Sequence, residues 1–362
     1  MNGIVQRLDR GRAAFLWACG LDVAVRKPGN VSRASAGHGM QAEAFLASAE
    51  AAAGPLFARG QPVGARIEAA VAATRAAAGC NTNLGILLLC APLAAALERL
   101  ADDAPDKPLP GHATANGECP PVGAAMPARP TLGPPGPERG ADAAVLRAAV
   151  HAVLADLDVD DARAAYRAIA LANPGGLGRV PAEDVAAPPG GDLRAAKALA
   201  AGRDSIARQY AQGYADVFGC GFAELRLDHG GTARLAAVVQ RVFLRFLAGW
   251  PDSHIVRKLG CAAAQTVTGD AAAWLARFDA DPAAGDGAAF ADWDEALKAA
   301  GINPGTSADL TVCTLFAAAL VSPKAIGMSA SQSWHGLCVH PCGIGLIPTS
   351  DTGASVRIGR PG

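Results

Sequence analysis

The sequence predicts an all-α fold, and three observations lead there. Hydrophobic residues make up 51% of the 362 positions but aromatics only 5%, and most of the chain is rich in alanine. Apolar residues recur at three- and four-residue spacing in one segment after another, as a helix with one buried stripe requires. Runs that alternate apolar and polar residues, the mark of a half-buried strand, are hard to find.

Val5, Leu8, Phe15, Leu16 and Val23 predict a first helix, ending near Lys27 because Pro28 disfavours helical geometry in the residue before it. Phe45, Leu46 and Ala49 predict a second, and Ile67, Val71, Thr74 and Ala78 follow one stripe of a third. Leu84 to Leu97 is the most hydrophobic run, but its 14 residues include Pro92. A bilayer needs about 20 residues, so the run predicts a buried core helix. Leu146, Val150, Val153, Leu154 and Leu157 repeat the helical pattern, as do Leu235, Val238, Val239, Val242, Phe243 and Phe246. Residues 101–140 are dense in Pro and Gly, which predicts a flexible insert, and 323–362 predict an irregular tail. Residues 1–100 and 141–322 are expected to form one helical domain.

Lys+Arg number 32 and Asp+Glu 33, a net charge of −1. That balance argues against coating nucleic acid or an anionic membrane, which needs surplus positive charge. The N-terminal MNGIVQRLDRGRAAF is interrupted by charges and lacks the apolar core of an export signal. Nine scattered cysteines read as reduced thiols, and the protein is expected to be soluble and cytoplasmic.

Polar residues crowd with Gly and Pro into four islands between helices. The first holds Arg26, Lys27, Asn30 and Arg33, then His38 and Glu43; cations beside a glycine turn suit a polyphosphate, whereas a helix end with its dipole-matched cations is the plainer account. In the second, Asn81, Thr82 and Asn83 exceed what one helix cap needs and suit a ribose or a base edge. The third, Asn173 to Arg179 with Glu183 and Asp184, fits neither the phosphate-loop nor the dinucleotide spacing. The fourth is split between Asp252, Ser253, His254, Arg257 and Lys258, and Asn303, Ser307 and Asp309. Capping accounts for Asp252 and Asp309 individually, but not for the two cations one turn after His254. Only six lysines occur in the chain, and Lys27 and Lys258 both lie in these islands.

In this order the islands resemble the triphosphoribosyl-dephospho-CoA synthase family. The pieces are KPGNVSR with GHGM and FLASA, then NTNLGILLLCAPL, NPGGLG, PDSHIVRKLG and INPGTSADL, spanning about residues 15 to 321. The resemblance implies an all-α fold and a magnesium-dependent transfer. A ribose hydroxyl of dephospho-CoA attacks C1′ of the ATP ribose, and adenine departs while the triphosphate is kept. For anionic substrates Lys27, Arg33, Arg257 and Lys258 are candidate cations, and Asn30, Asn81, Thr82, Asn83, His254, Asn303 and Ser307 are further candidate contacts. Glu43, Asp252 and Asp309 are candidate Mg²⁺ ligands. A carboxylate near the sugar would stabilise its developing positive charge, and a base must take the hydroxyl proton. Asp309, His38 and Asp252 are the catalytic candidates, with His254 a further possible base. The second island lacks the basic residue of the citrate-lyase members, where it reads closer to N-T-H-K-G. The PGNV and GHGM forms look more like a branch associated with tetrahydromethanopterin biosynthesis, which leaves a related transfer to another acceptor open. A helical nucleotide-binding protein without catalysis is the alternative of another class. In the tail, His335, Cys338, His340 and Cys342 are four soft ligands within eight residues, but their spacing matches no common zinc module.

Overall fold

In the computed structural model, residues 2–102, 137–172, 189–225, 232–322, 337–340 and 343–346 are described. The third island, most of the Pro/Gly-rich insert, and His335 and Cys342 of the tail lie outside them. Helices dominate, as the periodicity predicts. They are α1 (Asn2–Ala24), α2 (Ala42–Leu56), α3 (Val63–Ala78), α4 (Leu84–Asp102), α5 (Pro137–Ala155), α6 (Val159–Ala172) and α7 (Leu193–Ala200). After α8 (Ser205–Gln212), a π-helical turn at Val217–Gly221 runs into the single turn α9 (Phe222–Glu224). α10 (Thr232–Gly249), α11 (Ser253–Leu259), α12 (Cys261–Ala280), α13 (Ala288–Ala299) and α14 (Gly305–Val321) follow.

α14 is apolar on every side from Leu310 onward, so it can be stable only when surrounded. It packs on α1, α4 and α10. Phe15, Phe57 and Phe316 meet there with ring centroids about 6 Å apart, each ring tilted or edge-on to the next, and burying each such ring contributes roughly 1.5–3 kcal/mol. α10 is shared between two apolar clusters. Val238, Val239, Val242 and Phe246 face the main core, while Phe243, Leu244 and Leu247 face a second core with Trp274, Phe278 and Phe290.

Pro92 in α4 shows how a helix breaker is accommodated. It has no N–H to give Leu88 four residues back, and the Tyr210 hydroxyl donates to that Leu88 carbonyl at 2.6 Å instead. Tyr214 does the same for Leu89 at 2.6 Å. Both tyrosines are fully buried, so α8 and the turn after it are fastened to the proline. Among the described residues no helix is long and apolar enough to cross a membrane, in line with the reading of Leu84–Leu97 as a core segment.

The tail departs from expectation. Leu337–His340 (β1) and Gly343–Leu346 (β2) pair as an antiparallel hairpin, Leu337 opposite Leu346 and His340 opposite Gly343. β1 lies beside α1 and β2 beside α10. Four-residue strands, one of them half glycine, carry too short an alternation to stand out from irregular chain.

Candidate active site

A cleft of about 690 Å³ opens where the helix ends and loops converge. It is lined by Asn30 and His38 of the first island, Asn81, Thr82 and Gly85 of the second, and His254, Arg257, Lys258, Asn303 and Asp309 of the fourth. Residues almost 280 positions apart therefore share one cavity.

Buried polar contacts fix the loops around it. Asn30 donates through Nδ2 to Asn303 Oδ1 at 3.1 Å. Gly29 N–H donates to Asp294 Oδ1 at 2.8 Å, and Asp294, wholly buried, also takes Lys298 Nζ at 2.9 Å. Gly29 has φ +79°, and a Cβ there would lie 2.8 Å from the Ile302 carbonyl oxygen, so only glycine lets this turn seat against the loop before α14. Asp252 ties α11 to α14. Its Oδ1 accepts from the N–H groups of His254 (2.9 Å) and Ile255 (3.3 Å), and its Oδ2 accepts from Ser307 N–H (2.7 Å) and hydroxyl (2.8 Å).

Two carboxylates sit at the centre. Asp309 reaches the cleft from the first turns of α14, and Asp22 from the last turn of α1. A Cβ on Gly85 would fall 2.0 Å from Asp309 Oδ2 and 2.6 Å from its Cγ, so the glycine leaves the space that the carboxylate fills. Burial, then the charges of Asp22 and Asp252, push the Asp309 carboxyl well above the usual range, with Arg257 opposing. Asp22 is partnered by Lys27, whose Nζ lies 3.0 Å from Oδ1 as an ion pair and donates its hydrogen bond to the Asp22 backbone carbonyl. Both side chains are almost entirely buried.

His254 supplies a neutral imidazole. Burial first, then Lys258 and Arg257, lower its pKa to about 4. His38 has a ring Nε2 2.8 Å from the Gly29 carbonyl; a carbonyl can only accept, so Nε2 carries the proton and Nδ1 is left as an acceptor. Three lining residues hold buried polar atoms without a hydrogen-bond partner: Asn30 Oδ1, His254 Nε2 and Arg257 Nε. Such atoms are rare in folded proteins unless a ligand or water meets them.

This arrangement suits a substrate with a polyanionic end and a sugar. Sequence comparison decides which. A family model described as ATP:dephospho-CoA triphosphoribosyl transferase (CitG) matches residues 9–327. The chain belongs to this family.

Members are transferases acting on ATP and dephospho-CoA, so this chain is a triphosphoribosyl-dephospho-CoA synthase by family. A solved structure of a triphosphoribosyl-dephospho-CoA synthase homologue from Archaeoglobus fulgidus shares the fold, with TM-score 0.50 and 22% identity over 77% of this chain and 99% of that one. No curated protein matches.

Within the synthase cleft, several expectations change. Lys27, expected on substrate, has no exposed surface and serves Asp22. Asp252 and Ser307, expected at metal or substrate, are buried and use their side-chain oxygens on one another and on helix starts. Asn83 is buried, accepting from Thr74 Oγ1 at 3.1 Å. Glu43 is exposed in the first turn of α2, where the helix dipole favours it, and does not line the cleft; nor does Arg33, which is also exposed. Asn81 accepts from Leu84 N–H at 3.2 Å, and Thr82 donates to Ser48 Oγ at 2.6 Å, so each steadies its loop while facing the cleft. The sequence reading missed Asp22, Arg75, Lys197, Arg203 and Asp204, all of which line the cavity. Asp22 had one available signal, a lone carboxylate in the apolar run LWACGLDVAV.

Proposed function

We propose that this cleft performs the family transfer with Asp22 and Asp309 at the ATP ribose, Arg257 and Lys258 on the triphosphate, and His254 as general base. The observation that carries this reading is the set of unpartnered polar atoms on Asn30, His254 and Arg257, lining one cavity with Asp22 and Asp309.

The reaction breaks the bond from C1′ to adenine N9 and forms one from C1′ to the acceptor's ribose oxygen. As adenine leaves, positive charge builds on the sugar, and a carboxylate held beside it lowers that barrier. Asp22 is suited because its ion pair with Lys27 fixes it in place. His254 Nε2 takes the proton of the attacking hydroxyl, and the departing adenine gains one, so protons balance. A pKa near 4 makes His254 a weak base in the free protein. Burial, the larger cause, remains, but a triphosphate beside Lys258 and Arg257 offsets the two charges that add to it and raises the imidazole's basicity. His38 Nδ1 is the second acceptor available.

Magnesium fits the donor set. Among the described residues no group of three or more His, Cys, Asp or Glu side chains could hold a metal alone, but Mg²⁺ commonly uses one or two carboxylates with substrate phosphates and water. Asp22 and Asp309 would hold it; Asp252 has no free oxygen to offer, and Glu43 stands outside. When bound, it supplies charge neutralisation for the triphosphate.

The test is to incubate the protein with Mg·ATP and dephospho-CoA and to quantify adenine and adduct mass. One adenine released per triphosphoribosyl adduct is expected; ADP or AMP in place of adenine overturns the reading. The departure in the second island, Asn83-Leu84 without a basic residue, favours a second reading in which another cofactor precursor accepts the group. Adenine release with such a precursor, but not with dephospho-CoA, selects it.

A further inference from the structure

The reaction needs two anionic substrates, and the cleft has more cationic wall than one triphosphate uses. Beyond Arg257 and Lys258 it carries Lys197 and Arg203, from α7 and the turn after it. Lys197 interacts electrostatically with Asp204 and Arg257, and Asp309 interacts with Asp22, Arg257 and Asp204. Arg257 and Asp204, 3.5 Å apart as an ion pair, therefore stand near both the carboxylate centre and Lys197. The same cleft has apolar lining in Tyr166, Ile169 and Ala172 of α6 and Ile206 of α8. α6 packs on α7 and α7 on α8, so they form one continuous wall.

We infer that the α6–α7–α8 wall is the acceptor subsite, in which Lys197 and Arg203 take the diphosphate of the acceptor and the apolar face of α6 takes its uncharged arm. The inference rests on the transfer reading above and deepens it. A diphosphate attached to a long neutral chain needs a pair of cations and an apolar surface, and this wall offers both. Burial lowers the Lys197 pKa, with Asp204 opposing, so an arriving diphosphate meets a poorly solvated ammonium that gains from a new partner. The ATP end, with Asp22, Asp309, His254 and Lys258, provides polar groups where a ribose and triphosphate need them. The two substrates then meet beside Asp22, Asp309 and His254, where the acceptor's ribose must approach C1′.

The experiment measures initial rates of adenine release while varying each substrate in turn, for wild type, Lys197→Ala, Lys197→Arg, Arg203→Ala and Lys258→Ala. Losing one charge-assisted contact to a diphosphate raises KM by about tenfold. Lys197→Ala and Arg203→Ala are expected to raise KM for dephospho-CoA by that factor and KM for ATP less than twofold, with Lys197→Arg recovering most of the loss. Lys258→Ala is expected to do the reverse. Arg203 is exposed, so its variant folds even if Lys197→Ala does not. Adenine release by wild type with KM for ATP raised instead, or both KM values unchanged, overturns the subsite while leaving the transfer reading standing. Failure of wild type to release adenine at all counts against the transfer reading itself.

Discussion

Gly85→Ala tests the carboxylate centre with a single methyl group. The added Cβ would stand 2.0 Å from Asp309 Oδ2 and 2.8 Å from Ile206 Cδ1. The isoleucine methyl can rotate aside, but the carboxylate must retreat by at least about 1 Å to reach van der Waals distance. Misplacement on that scale costs about a hundredfold in rate, or about 2.7 kcal/mol of transition-state stabilisation. Stability changes little by comparison. Alanine gains about 1 kcal/mol over glycine within a helix, against roughly 1–3 kcal/mol for overpacking. The net loss is at most about 2 kcal/mol, a fall in Tm of at most about 8 °C. Adenine release and thermal unfolding by circular dichroism measure both. Gly54→Ala is the control, because a Cβ there meets nothing within 4 Å; its activity stays at wild type and its Tm does not fall. A Gly85→Ala enzyme within threefold of wild-type kcat/KM refutes the claim that the position of Asp309 matters.

Three further outcomes are expected. Lys27→Met leaves the buried Asp22 carboxylate without its cation and costs about 3–5 kcal/mol in denaturant unfolding; adding Asp22→Asn recovers stability but not turnover. Asp252→Ala removes a helix cap and strands the donors of Ser307, costing about 2–4 kcal/mol, whereas a purely catalytic role predicts lost turnover at unchanged Tm. His254 has a folded pKa of about 4 against 6.5 in the unfolded chain, so the unfolded state binds the extra proton. Its contribution to stability is full above pH 6.5 and is lost as pH falls toward 4, by at most about 3 kcal/mol. His254→Asn therefore loses less stability than wild type between pH 6.5 and 4, measured by urea unfolding.

The helices were legible because alanine and aliphatic residues at three- and four-residue spacing leave few alternatives, and α4 could be placed in the core because Pro92 and its length rule out a membrane span. The convergence of the first, second and fourth islands was legible as well, since polar groups crowded at helix ends have a common place to go. The partnerships inside the site were not. Nothing in the chain near Lys27 tells whether its ammonium faces a ligand or a carboxylate five residues earlier. Asp22 is one acid in an apolar helix, and its significance depends on Asp309, 287 positions later. Capping, the plainer reading of Asp252, is what its four hydrogen bonds show. The hairpin at 337–346 could not be found because each strand is too short to establish a period.

In the proposed reaction the ATP ribose lies between Asp22, Asp309 and His254. The most direct measurement is a crystal structure of the Asp309→Asn variant with Mg·ATP, in which transfer is blocked. Ribose C1′ facing Asp22 and the Nε2 of His254, with the triphosphate along Arg257 and Lys258, is the expected result. ATP bound elsewhere, or with its adenine rather than its ribose between those side chains, contradicts it.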